Sequence, residues 1–298
     1  MKLLIDYNNL FYRIFYKVLY SEGKTKKIDY VALEKDIKES ILNSILLLSS
    51  KFKSDKIICA VDTDTNWREG TFDGYKGTRS KTDDIDWKTV LGWLDTHTEI
   101  FKGLGIQKLM IDDCEADDII AIISKHDKEN IIIVSNDDDF SQLLVFDNVK
   151  LYQPNKQQFK ERTDISKNLI YKIILGDRGD GIPNIKNPLD FYVGDYEGRA
   201  VGLGVKTLDK KILDINGDID NDLLNDFIAP FIKRYEQNVQ LISFDCIPKH
   251  IENKILNEYK RCKFKKSKRL EILRFLKNNN LNDIKFKFMS GKYKFGLL

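Results

Sequence analysis

The 298-residue chain has three histidines, five prolines and four cysteines, and each shortage removes a class of explanation. His97, His126 and His250 have no ligand spacing, and Cys59, Cys114, Cys246 and Cys262 form no CxxC pair. Neither a zinc site nor a disulfide framework is therefore expected, and the thiols read as reduced ones of a cytoplasmic protein. So few prolines, with no low-complexity tract, imply continuous folded structure in one large core or two unequal ones. No apolar run approaches the roughly 20 residues that span a bilayer. Asp6 interrupts what would be the apolar centre of a signal peptide, so no targeting segment and no membrane association are expected. The absence of GxxxxGK[ST] argues against nucleotide triphosphatase chemistry.

Acidic and basic residues are plentiful but unevenly placed. Net charge is +3, yet residues 249–298 carry +11, which leaves −8 for the rest. Such asymmetry fits a protein that holds cations in one place and a polyanion in another; a solubilising basic surface reads equally well from charge alone. Three apolar runs end in an acid: KLLID (2–6), KIICAVD (56–62) and IIIVSND (131–137). Helical spacing recurs from Asn8, over roughly 29–50, and in EADDIIAIISK (115–125), with Glu115 and Asp118 in the first turn. Strands alternating with helices predict an α/β domain with a mainly parallel sheet.

In such sheets, ligands bind beyond the carboxyl ends of strands, where Asp6, Asp62 and Asp137 fall. A single acid there reads as a turn residue or helix cap. Three of them, beside a helix start carrying Glu115, Asp117 and Asp118, are harder to dismiss. In the run Asp137-Asp138-Asp139, the outer two are alternate residues; Asp138 points elsewhere and caps the helix starting near Phe140. Carboxylates without histidine or cysteine select hard ions such as Mg²⁺ or Mn²⁺. Two such ions close together can activate water and offset charge on a phosphodiester.

Two further stretches suit nucleic acid. The polar region 65–95 places Arg68, Tyr75, Lys76, Arg79 and Lys81 soon after Asp62, offering phosphate contacts and a stacking surface; an ordinary long loop is the alternative. Trp67, Trp87 and Trp93 also lie there and suggest local packing. DRGDGIPNI (177–185) follows a helical run and brings Asp177 and Asp180, which also fit a plain surface turn. VGLGVKTL (201–208) sets Gly202 and Gly204 before a helix with Lys206 and Thr207, so that backbone amides can approach a phosphate.

Taken in order, IDYNNLFYR (5–13), VD (61–62), FDGYKGTR (72–79), EADDIIA (115–121), SNDDDFSQL (135–143), LGDRGDGIP (175–183) and GLGVKTL (202–208) resemble the 5′-nuclease family, and within it the bacteriophage ribonuclease H type. The resemblance implies a PIN-like α/β core over 1–175, with a helical arch over 65–95. It implies a smaller, mostly helical DNA-binding region over 176–298, with a helix–hairpin–helix-type element at 176–208 and the basic tail at 249–298. It implies two Mg²⁺ ions, replaceable by Mn²⁺. One would be held by Asp6, Asp62, Asp117 and Asp137 with Glu115 and Asp118 in or near the shell, the second by Asp139, Asp177 and Asp180. Lys76 and Arg79 would act on the scissile phosphate. The implied activity is 5′→3′ exonuclease, flap endonuclease and ribonuclease H cleavage of DNA and RNA–DNA hybrids at 5′ ends, flaps and nicks. The implied setting is primer removal during replication by a monomer, with a single-strand-binding protein as candidate partner. The sequence departs from the family between the two glycine motifs, where NIKNPLDFYVGDYEGRAV intervenes. Competing readings are a catalytically inactive structure-specific binding protein and a Mg²⁺-dependent α/β phosphatase.

Overall fold

Each of the three acid-terminated runs forms a strand of one sheet. The computed structural model describes residues 1–21, 28–77, 84–193, 198–264 and 269–293. The strands are β1 (Lys2–Asp6), β2 (Lys56–Val61), β3 (Gln107–Met110), β4 (Ile131–Val134), β5 (Val149–Gln153) and β6 (Gln158–Phe159), in the order β3-β2-β1-β4-β5-β6. The first five are parallel and β6 runs antiparallel to β5. β1 and β4 are buried along their whole lengths, so their runs read as continuously apolar rather than alternating. The chain builds β1, β2 and β3 toward one side, then returns to place β4 on the other side of β1. This creates a switch point between β1 and β4, the position where α/β sheets open a crevice.

The helices in chain order are α1 (Tyr7–Ser21), α2 (Tyr30–Phe52), α3 (Trp87–Lys102), α4 (Ala116–His126), α5 (Ile165–Leu175) and α6 (Val205–Ile212). They continue with α7 (Asn221–Ile228), α8 (Ile232–Ile242), α9 (Lys249–Arg261), α10 (Arg269–Asn278) and α11 (Asn282–Met289). Asp29 starts α2 by accepting the amides of Val31 and Ala32, a cap worth about 1 kcal/mol.

Two compact units result, and neither is continuous in sequence. The first comprises Met1–Asp64, Asp83–Glu161 and His250–Leu298; the second comprises Thr65–Thr82 and Arg162–Lys249. These bounds do not follow the linear division expected at 175. The core of the first unit joins Phe11, Phe15 and Ile41 to Trp93 and Phe101 of α3, and to Leu276, Ile284 and Phe288 of α10 and α11. The basic tail thus contributes an apolar face to the sheet unit, a face that its charge concealed in the sequence. Gly103 shows how closely it packs, since a Cβ there would collide with the Phe275 ring. Residues 87–95 of the expected arch are likewise the first half of α3, with Val90, Trp93 and Leu94 buried. The second unit holds two smaller cores, one around Phe72, Tyr75, Ile173 and Ile182, the other around Ile174, Leu208, Ile212 and Leu224.

Candidate functional site

Parallel pairing brings three carboxylates beyond one edge of the sheet. Asp6 ends β1 and pairs in register with Ala60, so Asp62 lies two residues past that level. Val134 pairs with Ile5, and the chain turns after it to present Asp137. Asp137 is the N-cap of the 3-10 helix Asp138–Val145 and accepts the Asp139 amide at 2.9 Å. The capping role expected of Asp138 therefore belongs to Asp137. Asp138 instead takes Gln153 Nε2 at 2.8 Å and Lys160 Nζ at 2.9 Å. Burial disfavours its charge, but the bond and charge of Lys160, the Gln153 bond and the charge of Lys156 together outweigh this and hold its carboxyl below the usual range.

Asp6 is almost fully buried, its two oxygens accepting the Asn9 amide at 3.0 Å and the Ser135 hydroxyl at 2.7 Å. Ser135 Oγ also accepts the Asp137 amide at 3.0 Å, which ties the ends of β1 and β4 together. Asn8 Oδ1 accepts the Asp62 amide at 3.1 Å, and Asp62 Oδ1 accepts the Ala116 amide at 2.7 Å. That last bond docks the N-terminus of α4 against the end of β2. Asn8, Asn9 and Ser135 were given no role from the sequence. The only signal available was their adjacency to the acids, since their hydrogen bonds join segments 54 to 129 residues apart.

The electrostatics of this edge are those of crowded like charges. Burial lifts the Asp6 carboxyl to about 7, against its Ser135 and Asn9 hydrogen bonds, with repulsion from Asp62 and Asp137 adding to the effect. Asp117 is raised well above the carboxylate range, first by burial, then by Asp6, Asp137, Glu115 and Asp62. Five expected ligands, Asp6, Asp62, Glu115, Asp117 and Asp137, are thus within mutual electrostatic reach. Asp118 is buried and accepts the Glu115 amide at 3.1 Å, closing a capping box at the start of α4. Among the described residues, no three His, Cys, Asp or Glu side chains stand in ion-holding geometry. Asp6 and Asp62 are held by backbone and hydroxyl donors instead. The donor chemistry fits a hard divalent cation, since the set is all oxygen and repulsion from Asp6, Asp137, Glu115 and Asp62 adds to burial in disfavouring charge on Asp117.

The second expected set divides between the units. Asp139 belongs to the first, Asp177 and Asp180 to the second. Asp177 has a structural environment: Lys172 Nζ lies 2.8 Å from Oδ2, and Oδ1 accepts the Gly179 and Asp180 amides. Burial opposes its ionisation, but Lys172 and these amides outweigh it and depress the carboxyl.

The expected nucleic-acid contacts fare unequally. Arg68 is 3 % exposed, and its Nε donates to the Leu241 carbonyl while the guanidinium lies over the Trp67 ring. Tyr75 is 7 % exposed and packs in the Phe72 core. Both were expected to face a ligand, and both are instead packing residues, because a loop's composition does not show which of its side chains turn inward. Lys76 is partly exposed in the left-handed region, its amide donating to the Asp180 carbonyl at 2.7 Å. Arg79 and Lys81 lie outside the described residues. Gly202, Gly204, Lys206 and Thr207 are all exposed, with open space where a Cβ would stand on either glycine. Gly204 is the N-cap of α6.

Residues 1–170 match the family model described as the 5′-3′ exonuclease, N-terminal resolvase-like domain. The chain belongs to the 5′-3′ exonuclease family. Residues 164–289 of this exonuclease-family protein match a second model, the C-terminal region of T4 RNase H. It is 29 % identical over 240 residues to the ribonuclease H of Enterobacteria phage T4, covering 75 % of this chain and 76 % of that protein. Solved structures of phage T5 proteins share the fold. The T5 5′-exonuclease with bound zinc superposes with a TM-score of 0.60 at 17 % identity, covering 88 % of this chain and 98 % of that one. The T5 D15 flap endonuclease, in a complex with DNA and metal ions, gives 0.59 at 16 % identity with the same coverage. The exonuclease family assignment agrees with the mainly parallel sheet and helical C-terminal region described above.

Proposed function

We propose that the protein hydrolyses phosphodiester bonds at or near the 5′ ends of DNA and of RNA in RNA–DNA hybrids, with Mg²⁺ or Mn²⁺ as cofactor. The carrying observation is the acid cluster, in which Asp6 and Asp117 are pushed upward by burial and by neighbouring carboxylates. Crowded acids of this kind are favoured by cations and disfavoured without them. Asp6, Asp62, Asp117 and Asp137 would hold the ions, with Glu115 and Asp118 supporting them. Asp139, Asp177 and Asp180 are the candidates for a second position, which at Asp177 requires displacing Lys172. Bound divalent ions supply Lewis-acid stabilisation of the phosphoryl group and make water a stronger nucleophile near neutral pH.

The chain's own residues do the rest. Asn9 and Ser135 fix the Asp6 carboxylate, and the Ala116 amide fixes Asp62. Lys76 and Arg79 add positive charge where the transition state gains negative charge. Lys206, Thr207 and the amides after Gly204 grip duplex backbone, giving affinity for phosphate without sequence preference. Products are a 3′-hydroxyl and a 5′-phosphate. The role inferred is primer removal and flap trimming in DNA replication, by a cytoplasmic monomer that can act beside a single-strand-binding protein. The D15 flap endonuclease complex with DNA and metal ions supports this substrate class.

The test is a panel of 5′-labelled flap, nicked, blunt and RNA–DNA hybrid substrates with Mg²⁺, Mn²⁺ or EDTA. Metal-dependent release of 5′-terminal nucleotides or short oligonucleotides is expected. A flap and a nicked hybrid both left intact in either metal would overturn the proposal.

A further inference from the structure

The stretch separating the two glycine motifs is joined at its ends. Asn184 Nδ2 donates to the Val201 carbonyl at 2.8 Å, and Asn187 Oδ1 accepts the Val201 amide at 2.8 Å. After these first anchors, Tyr192 and Val193 pack on the turn that carries Lys76. The would-be Cβ of Gly74 stands 2.6 Å from the Phe72 ring and 2.9 Å from the Tyr192 carbonyl, so only glycine fits between them. Tyr192 and Lys76 are both non-glycine residues at positive φ, 69° and 55°. Such conformations persist where the surroundings hold them.

Arg234 of α8 joins the two segments. It is 3 % exposed, and its guanidinium donates from Nε to the Asn187 carbonyl, from Nη2 to the Pro188 carbonyl and from Nη1 to Gln237 Oε1. One of its faces lies over the Phe72 ring, 5.3 Å from the centroid. Gln237, one helical turn on, donates to the Thr71 carbonyl at 3.5 Å. A buried cation is costly unless its donors are satisfied. Here neutral oxygens and an aromatic face satisfy it: two carbonyls belong to the inserted loop, the ring to the Thr71–Phe72 turn, and the third oxygen to Gln237 of α8 itself. Burial lowers the guanidinium to about 10, opposed by Asp190, so it remains charged near neutral pH.

We infer that Arg234 is a positioning residue for Lys76. Through Phe72, Gln237 and the 187–193 loop it fixes the 71–77 turn, and the insertion serves as a brace for that turn. This rests on the proposed role of Lys76 at the scissile phosphate. Lysine cannot replace Arg234, because the three directed donors come from one planar fork.

The experiment is a double-mutant cycle of Arg234→Gln with Lys76→Ala, measured as kcat and KM on a 5′-labelled nicked hybrid in Mg²⁺, using protein of checked folded fraction. Arg234→Gln is expected to lower kcat about tenfold or more with KM nearly unchanged, since small misplacements of a reacting group are costly. In the Lys76→Ala background it should lower kcat less than about twofold, because coupled groups are non-additive. Additive losses, or a loss that follows the folded fraction alone, would overturn the inference. Trypsin cleavage after Lys76, mapped by mass, tests the brace without reference to activity. Arg234→Gln should speed cleavage several-fold at unchanged global stability, and an unchanged rate refutes the brace. If Lys76→Ala leaves kcat intact while cleavage after Lys76 is accelerated, the catalytic role of Lys76 fails and the brace stands. Should Arg234→Gln not fold, Gln237→Ala removes the Thr71 tether and one of the three Arg234 acceptors, and is held to the same outcomes at smaller size.

Discussion

The two ends of the same strands use the same residue types to opposite effect. At the carboxyl ends of β1, β2 and β4, Asp62 and Asp137 lie within electrostatic reach of Asp6, and the Asp6 carboxyl is raised to about 7 by burial and repulsion. At the amino ends, Lys2 of β1 lies 2.6 Å from Asp127 and 2.8 Å from Glu129, and Lys56 of β2 also reaches Glu129 at 2.8 Å. The Tyr259 hydroxyl of α9 donates to Asp127 as well. There the side-chain bonds from Lys2 and Lys56 hold Glu129 down to about 2, and Asp127 is depressed despite its burial. One end pairs its acids with lysines and contributes to stability; the other meets its acids with backbone and hydroxyl donors while the carboxylates repel one another, an arrangement that a cation would relieve. A carboxylate's neighbours, more than its burial, separate a structural acid from a candidate ligand.

The largest expected effect breaks the crowded end. Asp137→Asn keeps a side-chain oxygen able to cap the Asp139 amide, since asparagine caps as well as aspartate. It removes one negative charge from the cluster. Cleavage of the labelled flap should fall by about 10²–10³-fold or more, while substrate affinity measured in Ca²⁺ or EDTA changes little. Thermal stability should not fall, because repulsion is relieved. A rate equal to the parent's would show that the ligand set is wrong, and a large loss of stability would show that Asp137 belongs to the structural kind of acid.

Lys2→Met makes the converse cut at the lysine-paired end. Lys2 and Asp127 are nearly buried, so removing the cation strands a buried carboxylate, at a cost of roughly 3–5 kcal/mol. Denaturant unfolding should register the loss, while kcat per folded molecule stays at the parent value. A fall in kcat without a fall in stability would dissolve the contrast between the two ends.

How much of this contrast was legible beforehand follows from chain distance. Asp6, Asp62 and Asp137 could be read as one site because each follows an apolar run, and parallel strands bring such ends to one edge whatever their separation in sequence. The pairing of Lys2 with Asp127 and Glu129 leaves no pattern, since it links residues 125 and 127 apart through the fold alone. Arg68 and Tyr75 were misread for a related reason: a polar, glycine-containing loop looks solvent-facing, yet Leu241 and the Phe72 core draw both side chains inward. The basic tail was read as a charge run, although Ile272, Leu276, Ile284 and Phe288 recur at helical spacing and complete the sheet unit's core.

The smallest effect sharpens the comparison through pH. Glu129 is depressed from its ordinary value to about 2 by Lys2 and Lys56. A carboxylate lowered on folding contributes stability that is fully present above its unfolded value near 4.5 and is lost as pH falls toward 2. Glu129→Gln removes that contribution. The stability gap between parent and variant should therefore be constant from neutral pH down to about 4.5 and close below it. Because the Glu129 side chain is 40 % exposed, solvent screens the pair, and the gap should lie nearer the ~1 kcal/mol of a surface ion pair than the full shift implies. Raising the salt concentration should narrow it further. A variant more stable than the parent at neutral pH, by a gap that closes as pH falls, would place Glu129 with the crowded acids at the other end of the strands, where protonation relieves repulsion, and the division between the two ends would not hold.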